Sequence, residues 1–345
     1  MLAPASQGNR FIDYLESART VSIADNGFNE VGQLRRSDFR HVTACAVTLD
    51  QFTELAARSH HLRNVGVDLG HRPVWVLSID DLRVYADLFD NPLVFLHFAE
   101  QRMRADRSEP IDLNDEMDHL GLYLSHNNYA QYASKIAAGG PSRINFAGYR
   151  TPVDRFYSAL VQGETPTVPK QGMPPRLAEI VALLGISRMP NRSAAASFLL
   201  DSAGDFRSKL AGIIEAQLRD NETLRRARPL SVYDEMPFTL FCWSPSAPRR
   251  AAAALEHVQT VMAANSETSR HLLELAYTST GVLTDVHWQR VELTGLSDAD
   301  MVQLQAAGHA LREQRVLIAQ KRGKIGPNEK CPCGSGRKYK RCHRP

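Results

Sequence analysis

The end of the chain constrains its folding more than any other stretch, because it carries a compact set of metal donors. Within residues 321–345, three cysteines and one histidine are spaced as Cys-x-Cys, eight further residues, and Cys-His; they are Cys331, Cys333, Cys342 and His343. Three thiolates and one imidazole make a complete tetrahedral donor set for zinc. A segment this short and polar cannot bury enough apolar surface to offset the entropy of ordering it. We therefore predict a small C-terminal zinc knuckle that folds around one bound Zn²⁺ per chain.

The residues between the donors also suit a structural metal site. Gly334 and Gly336 allow sharp turns with positive φ, where a side chain would clash. Residues 338–340 are expected to form a helical turn that leads to the last two donors. Because the protein supplies all four ligands, no position remains for an activated water molecule. The metal is therefore expected to be structural and not catalytic.

The charges of the chain are distributed unevenly. Of its 41 Lys and Arg and its 38 Asp and Glu, nine bases and one acid lie in residues 321–345, which leaves 32 bases and 37 acids in the rest. A basic tail on a mildly acidic body favours a polyanionic partner, such as nucleic acid, the ribosome surface, anionic lipid or an acidic protein. The alternative is that these charges only keep a small module soluble.

The segment GPNEKCPCGSGRKYKRCH, residues 326–343, resembles the SEC-C motif. This motif is the zinc-binding C-terminal tail of the SecA preprotein-translocase ATPase, and it also ends many otherwise unrelated bacterial proteins. The resemblance implies that the zinc ligands are Cys331, Cys333, Cys342 and His343. It further implies a partner-facing basic surface made of Arg337, Lys338, Tyr339, Lys340 and Arg341. In SecA this tail contacts the export chaperone SecB, phospholipid and the ribosome.

The resemblance does not extend to ATP hydrolysis. The chain contains no G-x-x-x-x-G-K-[ST] phosphate-binding loop. It also lacks the G-x-S-x-G, H-E-x-x-H and Rossmann glycine patterns, so no reaction can be assigned to it. The preferred interpretation is an adaptor or interaction protein whose basic tail docks the body onto an acidic or anionic partner, either a protein, the ribosome or nucleic acid.

The body is expected to fold as a mixed α/β protein with a predominantly helical second half. Apolar runs that suit buried strands alternate with helical patterns near the start of the chain, which is the order of an α/β layer. Segment 165–176 contains four prolines and few apolar residues, as linkers do. It would divide a mixed α/β domain at 1–164 from a helix-rich α+β domain at 177–320, followed by the basic zinc-binding tail at 321–345. The alternative is a long ordered loop inside one domain.

Several elements of the first half can be placed by composition and capping residues. Residues 39–49 and 73–80 have the apolar, β-branched composition of strands. The hydroxyl of Ser78 can cap a helix that follows the second strand. Pro92 separates this helix from the next, because the residue before a proline avoids the helical conformation. A helix is also expected over residues 50–62.

The second half shows the same kind of signals. Strands are predicted at 238–243 and 281–293, on either side of a helix over residues 248–264. Ser297 is a capping residue for a long final helix that reaches Lys321. We expect this helix to be the rod from which the tail extends.

Two pairs of side chains in the body have the spacing of metal ligands on neighbouring helical turns. They are His97 with Glu100, and Glu116 with His119. Carboxylate-bridged metal sites in helical bundles use this arrangement, but they need further bridging glutamates that the sequence lacks. Solvated or satisfied core side chains are therefore the expected interpretation.

A nucleic-acid hydrolase is the competing class of function. SEC-C tails also occur on nucleic-acid-processing and defence-related proteins, and the segment from Arg40 to Leu82 is loosely similar to restriction-endonuclease-like domains. Such nucleases hold their metal with an acid followed by an E-x-K pair on a strand. Glu30 and Asp68 are the nearest carboxylates, and neither is followed by the required lysine. If the ancestry is shared, the catalytic half is missing or is supplied by another chain.

The sequence favours a cytoplasmic location. No apolar run approaches the roughly 20 residues of a membrane-spanning helix, and the first residues lack the pattern of a secretory signal. The two cysteines outside the tail, Cys45 and Cys242, lie in apolar runs and are expected to be buried free thiols.

Overall fold

The computed structural model describes residues 2–51, 57–58, 72–108, 111–140, 143–202, 204–219, 229–232, 237–244 and 249–343. The chain forms two compact units. One comprises Met1–Gly185 and Ala196–Ser208, and the other comprises Ile186–Ala195 and Lys209–Pro345. Helices and strands occur in both, which confirms the predicted mixed fold class.

Helices dominate the described part of the first unit. Its elements are α1 (Leu2–Ser17), β1 (Val21–Ala24), β2 (Glu30–Leu34), β3 (Ala44–Thr48), β4 (Val74–Ser78), α2 (Ile79–Leu88), α3 (Pro92–Asp106), β5 (Ile111–Asp112), α4 (Glu116–Ser125), α5 (Tyr129–Ala137), β6 (Ile144–Asn145), α6 (Thr151–Val161) and α7 (Pro175–Ile186). Two further helices, α8 (Arg192–Leu200) and α9 (Gly204–Arg219), contribute residues to both units. Among the described residues, no helix is both long enough and apolar enough to cross a membrane.

Strands β3 and β4 confirm the strands predicted at 39–49 and 73–80, although both are shorter than expected. They pair in parallel along their whole length, and every residue of β4 is buried. Helix α1 covers one face of the pair, where Ala5 and Ile12 pack with Ala44 and Ala46. Strands β1 and β2 form a separate antiparallel hairpin.

The two cysteines outside the tail differ in exposure. Cys242 lies buried on a strand of the second unit, as predicted, whereas Cys45 is exposed. The prediction for Cys45 was wrong because successive residues of a strand point to opposite faces. Its neighbours Ala44 and Ala46 occupy the buried face of β3, so the thiol points away from α1.

The predicted helix starts in the first unit are confirmed by their caps. The hydroxyl of Ser78 accepts a hydrogen bond from the amide of Asp81 at 3.1 Å, and the Asp81 carboxylate accepts one from the amide of Ser78 at 2.8 Å. This reciprocal pair satisfies amides at the start of α2 that have no partner within the helix. Helix α3 begins at Pro92 after Asn91, whose side chain caps the amide of Leu93 at 2.9 Å. The helix predicted over residues 50–62 lies mostly outside the described residues.

The proline-rich segment forms neither helix nor strand from residue 164 to residue 174, and it is held by specific contacts. The guanidinium of Arg207 donates to the carbonyl of Gly172 and to the side chain of Gln171, each at 3.1 Å. Gln171 in turn donates to the carbonyl of Tyr123 at 2.9 Å. The segment and α7, apart from its last residue Ile186, belong to the first unit. The linker and the domain boundaries that depend on it stay a prediction.

The second unit also contains β7 (Leu230–Val232), β8 (Phe238–Trp243), α10 (Arg249–Asn265), β9 (Ser269–Tyr277), β10 (Leu283–Glu292) and α11 (Asp298–Arg322). Its four strands form one sheet in the order β10-β9-β8-β7. Strands β8 and β9 are parallel, and α10 connects them; the other two pairs are antiparallel. Phe241, Val258, Met262 and Leu272 pack α10 onto the sheet. The strands predicted at 238–243 and 281–293 and both helices are confirmed.

Helix α11 packs closely against the end of α10. Gly308 permits this approach, because a Cβ at that position would lie 2.8 Å from the amide nitrogen of Ala264. Arg312 donates to the carbonyl oxygens of Ala263 and Ala264. These carbonyls end α10 without partners inside the helix, and a cation there also complements the helix dipole. The position of α11 is therefore fixed on the second unit before the chain enters its last segment.

Candidate metal centre

The segment after α11 folds as a compact knuckle, residues 326–343. Two backbone hydrogen bonds join the segments on either side of its turn, from the amide of Cys331 to the carbonyl of Arg337 and from the amide of Tyr339 to the carbonyl of Glu329, each at 2.8 Å. The turn between them needs positive φ at Gly334 (90°) and Gly336 (72°), as predicted. The helical turn expected at 338–340 is a single 3₁₀ turn, Tyr339–Arg341.

The knuckle brings the four predicted donors to one point. Their ligand atoms all lie within 4.8 Å of one another. The Sγ atoms of Cys333 and Cys342 are 3.6 Å apart, and Cys331 Sγ lies 3.3 Å from Nδ1 of His343. Two thiolates about 2.3 Å from one tetrahedral ion would be about 3.8 Å apart, so this geometry fits a metal ion. Among the described residues, no other group of three or more His, Cys, Asp or Glu side chains converges in this way.

Ser335 favours the thiolate form of one donor. Burial opposes ionisation of Cys333, but hydrogen bonds from the hydroxyl and the amide of Ser335 lower the pKa of this thiol to about 7. Burial raises the pKa of Cys331 to about 12, and the neighbouring thiols Cys333 and Cys342 act in the same direction. Only thiolates bind metal, so metal binding must displace a proton from Cys331.

The knuckle is packed against the side of α11. Val316 shares a small apolar cluster with Cys331, Cys333 and Tyr339. Gln320, one turn further along the helix, donates from Nε2 to the phenolic oxygen of Tyr339 at 3.0 Å. The predicted rod helix therefore also serves as the surface on which the knuckle lies.

A second contact joins the metal centre to the end of α10. Arg315 donates from Nη1 to the side-chain oxygen of Asn265 at 2.9 Å and to the carbonyl of Cys333 at 3.1 Å. A Cβ on Gly334 would lie 2.8 Å from that oxygen of Asn265 and 2.9 Å from Nη1 of Arg315. Glycine at 334 therefore serves the docking of the knuckle as well as its turn.

The two ring nitrogens of His343 face different partners. Nδ1 points to the thiols, and Nε2 lies 3.0 Å from Oε1 of Glu313 on α11. The imidazole is mostly buried, with 18% of the side chain exposed, whereas Glu313 is 47% exposed. His309, the residue one turn earlier on α11, approaches the same carboxylate oxygen only to 4.0 Å.

The five residues predicted to face a partner differ in exposure. Arg337, Lys338, Lys340 and Arg341 are exposed, whereas Tyr339 is buried in the knuckle with 7% of its surface exposed. The tyrosine packs on the metal donors and on α11, so its role in the free chain is structural. The assignment of these residues to a binding surface stays a prediction.

Sequence reasoning did not find the two residues of α11 that contact the donors, Glu313 and Arg315, or Asn265 of α10, which accepts a hydrogen bond from Arg315. One signal was available, because positions 313, 316 and 320 are spaced three and four residues apart and so share one face of a helix. Val316 is the apolar residue on this face of the helix. Its polar neighbours on the same face could not be assigned until the knuckle was seen to fold back.

The two residues of the first candidate metal-binding pair, His97 and Glu100, contact different protein groups and do not converge on one point. Nδ1 of His97 lies 2.8 Å from the hydroxyl of Tyr123, and its Nε2 lies 3.1 Å from Asp201. Glu100 forms ion pairs with Arg40 and Arg104. These side chains are thus satisfied by other protein groups, as expected.

The second pair, Glu116 with His119, is also bonded to other side chains of the core. Glu116 accepts hydrogen bonds from Trp75 at 2.8 Å and Tyr85 at 2.9 Å, and it forms a buried ion pair with Arg102 at 3.0 Å. Burial raises the pKa of Glu116 despite these partners. His119 contacts the hydroxyl of Tyr129 at 3.0 Å. These contacts join α4 to β4, α2, α3 and α5, and they are structural polar packing.

The first unit also contains a cavity of about 370 Å³ beneath the proline-rich segment. Its walls are largely apolar and include Phe89, Leu120 and Val181, and an ion pair of 2.5 Å between Lys170 and Asp90 stands among the lining residues. The size is within the range of small-molecule sites. Metal ligands are not gathered there, so the metal centre remains the site with a definite chemistry.

Comparison with known proteins identifies a SEC-C motif at residues 328–345. The chain is similar to the protein translocase subunit SecA of Rubrobacter xylanophilus, with 46% identity over 57 residues, 16% of this chain and 6% of that protein. It is similar to SecA of Stutzerimonas stutzeri, with 29% identity over 116 residues, 33% of this chain and 12% of that protein. SecA of Nitrosomonas eutropha is 56% identical over 36 residues, 10% of this chain and 4% of that protein. The chain therefore spans only a small part of these relatives, and no solved structure matches it.

Proposed function

We propose that this chain is a zinc-binding interaction protein whose knuckle holds one structural Zn²⁺ and presents a basic face to an acidic or anionic partner. The observation that carries the proposal is the convergence of four donors, Cys331, Cys333, Cys342 and His343, within a segment that matches the SEC-C motif. Three thiolates and one imidazole are a preferred zinc donor set. Because the set is complete, the metal would stabilise the knuckle and would not activate water.

The binding face is proposed to consist of Arg337, Lys338, Lys340 and Arg341, with Tyr339 supporting them from below. These four cations are exposed, while the rest of the chain carries a small excess of acids. A fixed cluster of cations attracts polyanions and speeds their association. An acidic protein surface is the partner we favour, because the relatives are subunits of a protein translocase. Nucleic acid and the ribosome are the other candidates, and the site of action would be the cytoplasm.

Metal binding would pre-order this face. The knuckle has a small apolar cluster of its own and is joined to α11 through Val316 and Gln320. A segment that is ordered before it meets its partner loses less conformational entropy on binding. Zinc removal should therefore weaken partner binding even though the metal touches no partner.

Charge reversal tests the proposed face without altering the donors. The test variant carries Lys338→Glu, Lys340→Glu and Arg341→Glu. The matched control carries the same change in net charge at exposed residues of the first unit: Arg10→Glu, Arg19→Glu and Arg83→Glu. Zinc-loaded parent and both variants are used to capture partners from lysate, with and without nuclease treatment. Binding of the identified partner is then measured with purified components at about 0.1 M and 0.3 M salt.

The tail variant should lose the partner, the control should retain it, and binding by the parent should weaken at the higher salt concentration. Loss of the partner after nuclease treatment would identify nucleic acid as the ligand, whereas retention would identify a protein. If the tail variant binds as well as the control, the basic face is not the binding surface.

The alternative function is a nucleic-acid hydrolase that uses the tail for targeting. Among the described residues, no carboxylate cluster suited to a catalytic metal accompanies the strands. Incubation of the purified protein with DNA and RNA in Mg²⁺ or Mn²⁺ tests this alternative directly. Metal-dependent cleavage that survives the charge-reversal substitutions would favour the hydrolase.

A further inference from the structure

A carboxylate outside the knuckle contacts one of the metal donors. We propose that Glu313 on α11 is the positioning residue of the metal centre: it accepts a hydrogen bond from Nε2–H of His343 and so holds the imidazole with Nδ1 directed at the metal. The inference rests on the proposed binding of zinc by the knuckle. Glu313 lies outside residues 328–345, so the SEC-C match itself does not include it.

The tautomer follows from the two contacts of the ring. Nδ1 lies 3.3 Å from Cys331 Sγ, on the side of the thiols, and Nε2 lies 3.0 Å from Glu313 Oε1. A neutral imidazole that gives the lone pair of Nδ1 to a metal carries its proton on Nε2. Donation of that proton to a carboxylate fixes the ring orientation and makes the ligand nitrogen more basic. Glu313 is placed to accept it.

The packing of α11 keeps Glu313 at this position. Glu313, Val316 and Gln320 lie on one face of the helix, and they contact His343, the buried cysteines and Tyr339 respectively. Rotation of the helix away from the ring would break all three contacts together. The imidazole of His309 is 73% exposed, and its Nε2 lies 4.0 Å from Oε1 of Glu313, so its interaction with this carboxylate is weak.

The consequence is that metal binding and docking of the knuckle on α11 are coupled. When His343 is held by the ion, its Nε2–H is presented to Glu313 in one fixed orientation. Without the ion the ring is free to turn, and the hydrogen bond to α11 loses its geometric support. Zinc would then set not only the fold of the knuckle but also the direction in which its basic face points from the second unit.

The test compares Glu313→Ala and Glu313→Gln with Glu329→Ala in the full-length chain. Glu329 is an exposed acid inside the knuckle with no side-chain contact to a donor in the described residues, so its removal controls for the loss of one negative charge near the ion. Zinc affinity is measured by competition with a chromophoric chelator. The protonation and exchange of the His343 ring are followed by long-range ¹H–¹⁵N NMR of the zinc-loaded protein.

We expect Glu313→Ala to weaken zinc binding about 10- to 100-fold. Glu313→Gln should recover part of this loss, because its amide oxygen can still accept the hydrogen bond, and Glu329→Ala should differ from the parent by less than about twofold. In the parent, NMR should show zinc on Nδ1 and a slowly exchanging Nε2–H, which should exchange rapidly in Glu313→Ala.

Equal zinc affinity in Glu313→Ala and Glu329→Ala would overturn the inference, and so would zinc on Nε2 of His343. These readouts do not involve a partner. Failure of partner capture with intact zinc behaviour would therefore reject only the proposed function. Successful capture with a zinc affinity that does not depend on Glu313 would reject only the positioning role.

Discussion

The guanidinium of Arg315 donates to the carbonyl oxygen of Cys333 at 3.1 Å, and this bond ties the metal knuckle to the packed helices of the second unit. The same Nη1 atom also donates to the side chain of Asn265 at the end of α10. One cation thus connects α11, α10 and the loop that carries a metal donor. The knuckle is a docked part of the second unit, where the sequence alone indicated a tail extending from a helix.

Replacing Arg315 with Ala should loosen this docking. The substitution leaves the carbonyl of Cys333 without its donor, which costs about 1–3 kcal/mol for a partly buried group. We expect faster amide exchange in residues 328–343 while exchange in the sheet is unchanged, measured by hydrogen–deuterium exchange of the zinc-loaded protein. Arg322→Ala, at the exposed end of the same helix, is the matched control and should leave exchange in the knuckle unchanged.

Removal of two donors should abolish zinc binding without unfolding the body. Cys331→Ser with Cys333→Ser leaves one thiolate and one imidazole, too few ligands for a stable structural site. We expect the bound zinc to fall from one ion per chain to none, by metal analysis after gel filtration, with little change in helix content by circular dichroism. Cys45→Ser alters an exposed thiol outside the knuckle and should keep the full zinc content. Stoichiometric zinc in the double variant would refute the ligand assignment.

Gly121 of α4 should tolerate no side chain. A Cβ there would lie 1.9 Å from the carbonyl oxygen of Tyr149, and a backbone atom cannot move aside as a flexible side chain can. Gly121→Ala should lower the free energy of unfolding of the first unit by about 3 kcal/mol or more, in urea titrations. Gly212→Ala is the control, since nothing lies within 4 Å of its Cβ position in α9. That change should stabilise the protein by up to about 1 kcal/mol through helix propensity.

Acid should destabilise the second unit through His271. This ring is stacked on Trp288 with centroids 5.5 Å apart, and burial, together with the charge of Arg290, lowers its pKa to about 4. The unfolded chain titrates near 6.5, so it takes up a proton before the folded state does. Stability should therefore fall as the pH decreases from about 6.5 towards 4. With allowance for partial exposure, we expect about 1–2 kcal/mol to be lost at pH 5 relative to pH 7.

The comparison of parent with His271→Gln isolates this contribution. The variant should be less stable than the parent at pH 7, because the stacking is lost, but its stability should depend less on pH. Loss of zinc at low pH affects both proteins alike and does not enter the difference. Identical pH dependence in urea titrations of the two proteins would contradict the assignment.

The parts of the structure that the sequence predicted are those set by local chemistry. Ser78 could be identified as the cap of the helix that follows it because a hydroxyl stands directly after an apolar strand, and the four donors could be grouped because they lie within thirteen residues. The contact between Glu313 and His343 could not be predicted, since it depends on the chain reversing after α11. The same limit applies to Tyr339, which has the position of a surface residue in the motif but faces the metal donors.

Two further differences have a physical origin in the strands. Cys45 was expected to be buried because its neighbours are apolar, yet only one face of β3 is covered by α1. The strand β9 was not identified, although it lies between β10 and β8 in the sheet and seven of its nine residues are buried. A central strand lacks the alternation that marks a half-exposed one, so periodicity gave no signal there.

The docking of the knuckle along α11 would limit how far from the second unit the proposed basic face can hold a partner. Helix α11 has 25 residues and is about 37 Å long. A tail that continued beyond the end of α11 would place its basic face as far from the start of the helix as the helix is long. Because residues 313–320 carry the knuckle, the attachment point lies beside the helix and inside its span. A partner bound by the proposed basic face would therefore be held close against the second unit with little freedom of movement, and the short reach would restrict which partners can bind.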